Sequence, residues 1–139
     1  MDKQLTNNFF YSEFWSNNFG KPKVEPPEKY YPNILHVAQQ LQIVRDKLNE
    51  TRMTGTPEIK ININSGYRTK EWNASKDVEG VANSLHLTGS AADSRAIGKP
   101  LMIYYSYILR YTDLNELGFY NVMNFVHAGI MNKLRIFKY

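Results

Sequence analysis

Any transition-metal chemistry in this sequence has to be done without a thiolate. The 139 residues include no cysteine, which excludes disulfides, thiolate zinc fingers, cysteine nucleophiles and iron–sulfur clusters and leaves His, Asp and Glu as metal-holding side chains. The histidines are His36, His86 and His127. In Ser84-Leu85-His86-Leu87-Thr88-Gly89-Ser90-Ala91-Ala92-Asp93 a His and an Asp stand seven residues apart. On extended backbone, at ~3.3 Å per residue, that is too far to share one ion. The chain must therefore fold back, and Gly89, halfway between them, permits a tight reversal while Ser90, Ala91 and Ala92 are small enough for close approach. A third ligand stands in Phe125-Val126-His127-Ala128-Gly129-Ile130, where strand alternation gives Val126, Ala128 and Ile130 to a core and His127 to the opposite side. Two imidazoles and one carboxylate leave the fourth position of a tetrahedral zinc open, the pattern of a catalytic rather than a structural site.

These residues need strands behind them and helices against those strands. Ala91 to Ile97 reads as a strand of small residues closed by Gly98, and Ile59-Lys60-Ile61-Asn62-Ile63-Asn64 as a strand with three isoleucines on one face. Leu117 to Tyr120, Phe125 to Ile130 and Leu134 to Phe137 make the last quarter strand-rich. Ile34, Val37, Leu41, Val44 and Leu48 recur at helical spacing and predict an amphipathic helix from Asn33 to about Asn49, with His36 off the stripe at the surface. Pro100 suits the first turn of a second helix, Leu101 to Tyr111, and Arg68 to Ser75 makes a short one. At the N-terminus Ser12 is expected to cap a short helix carrying Glu13, Phe14 and Trp15 that Gly20 stops. Lys21 to Pro32, with four prolines, is expected to be irregular. The predicted fold class is α+β, with N-terminal helices packed on a small, mainly antiparallel sheet.

Length and composition narrow the function. One domain over residues 1–139 is expected. The net charge of +4 comes from scattered residues, 17 basic against 13 acidic, and suits the anionic polymers of a bacterial envelope as well as nucleic acid. No nucleic-acid-binding motif accompanies it, so neither a nucleic-acid partner nor a membrane partner is expected. The start, MDKQLTNNFF, lacks the apolar core of a secretory signal. A chain with this start is expected to stay in the cytoplasm where it is made until lysis or particle assembly carries it out.

Ser65-Gly66-Tyr67-Arg68, Asn73, Gly80, Ser84-x-His86-x-x-Gly89-x-Ala91-x-Asp93 and the late-strand His127 together resemble the zinc D-Ala-D-Ala carboxypeptidase and L-alanyl-D-glutamate endopeptidase family, whose fold is shared with hedgehog signalling domains. Leu5-Thr6-x-Asn8-Phe9 followed by Glu13-Phe14 resembles the opening of its short phage and bacterial members. The resemblance implies Zn2+ on His86, Asp93 and His127, a peptidoglycan peptide as substrate, and Arg68 and Ser84 as the groups that bind its carboxylate or backbone. An arginine fork can give a terminal carboxylate two parallel hydrogen bonds.

The sequence departs from the family in one respect. Active members carry a general base three residues before the last His, and many short members an Asp two residues after it; here those positions are Asn124 and Gly129. Neither can take the proton from the attacking water and pass it to the leaving amine, a contribution of typically 10²–10⁴ in rate. Glu116 is the candidate replacement, provided its strand pairs beside that of His127. Asp113, at the end of a helix, is a poorer one. Tyr120 is expected to serve core packing rather than to stabilise an oxyanion. The expected function is a zinc-dependent peptidase cleaving peptidoglycan stem peptides, as a DD-carboxypeptidase or an endolysin-type endopeptidase. The alternative is an impaired relative that uses the same cleft for binding, as a phage structural or accessory protein.

Overall fold

The isoleucine and leucine stripe of the central helix fixes how the layers stack. In the computed structural model, which describes residues 2–131, α1 spans Tyr31–Glu50 with Pro32 in its first turn, and Ile34, Val37, Ala38, Leu41, Val44 and Leu48 are all buried. The second long helix, Leu101–Tyr111, begins directly after Pro100, where a fixed φ and a missing N–H cost nothing. It packs on α1 and on the sheet, burying Leu101, Tyr104 and Ile108. Between the two in sequence lies a short helix, Lys70–Ala74, whose Thr69 side chain accepts from Trp72 N. In chain order these helices are α1, α2 (Lys70–Ala74) and α3 (Leu101–Tyr111).

The strands form two antiparallel sheets. A ribbon joins β1 (Ser16–Asn18) to β2 (Lys21–Val24), and four strands, β3 (Ile61–Ser65), β4 (Ala91–Ala96), β5 (Glu116–Tyr120) and β6 (Phe125–Gly129), pair in the order β3-β4-β6-β5. The helices cover one face of this larger sheet. Ala92, Ala96, Val126 and Ala128 are buried there, and the Ser94 hydroxyl, fully buried on the same side, meets the Tyr104 hydroxyl at 2.6 Å. The opposite face carries the chemistry. One row of cross-strand partners runs Ser65, Asp93, His127, Gly118. Ser65 joins it because a bulge between Ile63 and Ser65 sets two residues of β3 against one of β4, which turns Ser65 to the face that the isoleucines avoid.

The N-terminal expectations are corrected. Ser12 caps nothing; its hydroxyl goes to Asp2, and the first turn is a short 3-10 helix, Tyr11–Phe14, whose Phe10 N–H is accepted by Glu13 at 2.7 Å. Gly20 does not stop a helix. With Phe19 it occupies the left-handed region (φ 49° and 76°) and turns the β1–β2 ribbon, so Lys21–Val24 is strand rather than irregular chain. Pro22 is tolerated because a two-stranded ribbon has a free edge on which no N–H is needed. The α1 and α3 segments match the expected ones closely, and His36 lies at the surface, 2.9 Å from Asp113. The expected strand Leu134 to Phe137 lies outside the described residues. Among the described residues no helix is long and apolar enough to cross a membrane.

Candidate metal centre

His86 is delivered by a single 3-10 turn, Leu85–Thr88. The Ser84 side chain caps it by accepting from His86 N at 3.2 Å, and Gly89 ends it at φ +71°, a conformation that costs L-residues about 1–2 kcal/mol. The first turn of α1 closes over this reversal. Asn33 donates to Thr88 O at 2.9 Å, and a β-carbon on Gly89 would sit 2.5 Å from Ile34 Cγ1. The chain then enters β4 and brings Asp93 back beside His86, as the spacing requires.

The three side chains converge. His86 Nε2 lies 3.2 Å from Asp93 Oδ1 and 3.2 Å from His127 Nδ1, and His127 Nδ1 lies 2.9 Å from Asp93 Oδ1. The outer nitrogens decide what these inner atoms present. His86 Nδ1 lies 2.6 Å from the carbonyl oxygen of Gly66, an acceptor only, so that nitrogen carries the proton. His127 Nε2 lies 2.6 Å from Glu116 Oε1 and likewise donates. With both rings neutral, two imidazole lone pairs and a carboxylate oxygen face one point and can hold a cation there; with no cation there, a proton on the inner nitrogen of either ring is donated to Asp93 instead. A zinc with bonds of 2.0–2.2 Å has tetrahedron edges of about 3.3 Å, and the observed triangle fits that size.

The electrostatics agree. Burial pushes the Asp93 carboxyl up, but hydrogen bonds from His127 and His86 and their charges outweigh it, holding Asp93 well below the usual carboxylate range. For His127, burial works downward and is overcome by Asp93 and Glu116, so its pKa is raised above the ordinary 6.5. The site favours positive charge between these groups.

Arg68 stands behind Asp93. Its side chain is half-buried (13% exposed) and NH2 donates to Asp93 Oδ2 at 2.9 Å, which leaves Oδ1 for the imidazoles. Nε donates to Ser65 Oγ at 3.0 Å and NH1 to Asn73 Oδ1 at 3.2 Å. Three of its five N–H groups are thus engaged with the protein. Burial lowers the Arg68 pKa and Asp93 pulls it back upward. Asn73 passes the support onward, donating to Val81 O at 2.9 Å. Gly80 is glycine because a β-carbon there would sit 2.0 Å from Asn73 Oδ1.

The triad opens into a cleft of about 710 Å³ whose lining includes Arg68, Glu79, Ser84, Glu116, Tyr120 and Phe125. The sequence-named residues His86, Asp93, His127, Arg68, Ser84 and Glu116 all meet here. Tyr120 does too: it is 46% exposed, not part of the core, which corrects its expected packing role. The hairpin that carries it lies at the sheet's edge, where no helix covers the face. Sequence reasoning assigned no role to Gly66, whose carbonyl sets the His86 tautomer, or to Ser65. Their signal in the sequence was their place in Ser65-Gly66-Tyr67-Arg68, and the structure shows why residue 66 is glycine: a β-carbon there would sit 2.7 Å from the Phe14 backbone.

Fold and site together define a domain with an open His-Asp-His cluster, spaced as metal ligands are, on the uncovered face of an antiparallel sheet. A family model, Peptidase M15, matches residues 7–129, and the chain belongs to this family of metallopeptidases, which are generally zinc-dependent. The curated proteins include no match.

Proposed function

We propose that the protein is a zinc-dependent peptidase acting on peptidoglycan stem peptides, with His86, Asp93 and His127 as the metal ligands. The observation that carries this reading is the triangle of donor atoms 2.9–3.2 Å apart whose outer nitrogens are already committed to Gly66 O and Glu116. Bound zinc supplies a Lewis acid that polarises a peptide carbonyl and acidifies water. Arg68 keeps two N–H groups for a substrate carboxylate after serving Asp93, and Ser84, having accepted from His86 N, keeps its hydroxyl proton for a peptide carbonyl. The +4 charge favours approach to an anionic wall.

Glu116 is assigned two tasks, orienting His127 and accepting a proton in the cleft. Its pairing supports the second. Glu116 is the cross-strand partner of Gly129, so its carboxylate enters the same part of the cleft as one on residue 129 would. Residue 129 itself is closed to a side chain, because a β-carbon there would sit 2.8 Å from Ala91 Cβ and 2.9 Å from Ser90 O. The carboxylate missing from the β6 position is thus present on the neighbouring strand.

The test is zinc content by elemental analysis together with release of amino groups from purified peptidoglycan, with His86→Ala as control. One equivalent of zinc and release above the control are expected. Zinc without release favours the second reading, a peptidase-like binding or phage accessory protein, for which the absent carboxylates at Asn124 and Gly129 speak. Neither zinc nor release defeats the proposal.

A further inference from the structure

Tyr120 is held in place from two sides, and its hydroxyl has no partner among the described residues. Its ring stacks on Phe125, its partner across the β5–β6 pair, with centroids 4.7 Å apart and planes 16° from parallel. The far end of the ring folds back over Gly118: a β-carbon on Gly118 would sit 2.7 Å from Tyr120 Cε2, 3.5 Å from Cζ and 3.4 Å from His127 Cβ. Gly118 is the register partner of His127. The carbon that bears the hydroxyl therefore lies over the strand position beside a triad imidazole, on the cleft side. Arg68 and Tyr120 line the same cleft. Among the described residues no side chain or backbone group bonds the hydroxyl.

A donor held by ring packing, and not by a hydrogen bond of its own, is already oriented when charge develops nearby. An arginine already bonded to Asp93 is a poor sole candidate for that task. We propose that the Tyr120 hydroxyl donates a hydrogen bond to the oxygen that gains negative charge as the scissile amide carbonyl is attacked. Gly118 is the residue that makes room for it. The inference rests on the peptidase reading above and adds a residue to it.

Tyr120→Phe keeps the stacking and removes only the donor; Gly118→Ala keeps the donor and displaces the ring. With the zinc-loaded full chain and a soluble stem pentapeptide, each variant is expected to lose roughly 10–100-fold in kcat, below the largest oxyanion-donor effects because the hydroxyl is half-exposed to water. KM is expected to stay within about twofold, the signature of an interaction made only in the transition state. Binding of the phosphinate isostere of D-Ala-D-Ala, a stable tetrahedral anion, is expected to weaken by the same factor, while zinc content stays at the wild-type value in both variants and melting temperature does so in Tyr120→Phe. A Tyr120→Phe enzyme with unchanged kcat, or with an unchanged Kd for the phosphinate, overturns the proposal. If wild type shows no turnover, the peptidase reading fails separately, and the phosphinate titration still judges Tyr120: equal Kd for both proteins, or no binding by either, overturns it.

Discussion

Removing the Glu116 carboxylate separates its two assigned tasks. Glu116→Ala deletes the acceptor 2.6 Å from His127 Nε2, so His127 loses what fixes its tautomer and ring orientation. Outer-shell partners of ligating histidines are worth typically 10–100-fold in metal affinity. The Glu116 side chain is 41% exposed, and water can replace part of what is lost, so the low end applies: about tenfold weaker zinc binding, or roughly 1.4 kcal/mol. Glu116→Gln retains an acceptor oxygen and is expected to bind zinc within about threefold of wild type, because only the charge component of the bond disappears. Hydrolysis should respond differently. Both variants lose the proton acceptor, so both should fall by about 10²–10⁴ when saturated with zinc. Zinc affinity is measured by competition with a chromophoric chelator, and hydrolysis by amino-group release. Unchanged zinc affinity in Glu116→Ala would refute the orienting role. A Glu116→Gln enzyme with wild-type turnover would refute the proton-accepting one.

Three further outcomes are expected. Gly89→Ala combines a left-handed φ of +71° with a β-carbon 2.5 Å from Ile34 Cγ1 and should cost about 2–4 kcal/mol in urea unfolding; a loss under 1 kcal/mol would mean the turn relaxes freely. Gly129→Asp, which restores a carboxylate by sequence, should lower the melting temperature and fail to rescue Glu116→Gln, because the new side chain meets Ala91 and Ser90; rescue of turnover would show that β4 and β6 can part. The third concerns pH. The pKa of His127 is raised above its ordinary 6.5, so the stability this group contributes to the metal-free protein is fully present below pH 6.5 and lost as pH rises through the raised value. Zinc must displace that proton, so its affinity should climb with pH over the same interval. Calorimetry in buffers of different ionisation enthalpy should show proton release on zinc binding; none at pH 6.5 would contradict the raised value.

What could be read from residues alone was whatever local chain geometry enforces. His86 and Asp93 had to meet because a glycine and three small residues stand between them, and a reversal there has few alternatives. The α1 and α3 helices were legible because their apolar spacing matches one helical face. The ribbon at Ser16 to Val24 was not, because Pro22 and Gly20 are punctuation in most contexts and become compatible with strand only at a free edge.

By itself the sequence determined the ligand chemistry: a chain without cysteine, with histidines on a tight turn and on an alternating strand, can hold a metal only through imidazole and carboxylate. Only the tertiary structure decided which other groups surround the three candidate ligands. The order β3-β4-β6-β5 sets Ser65, Asp93, His127 and Gly118 in one row, and from that row follow the Glu116 bond to His127, the commitment of Arg68 to Asp93, and the place of Tyr120 over Gly118. The physical reason is that strand register is set by which faces the helices bury, a property of the whole sheet that no single segment encodes.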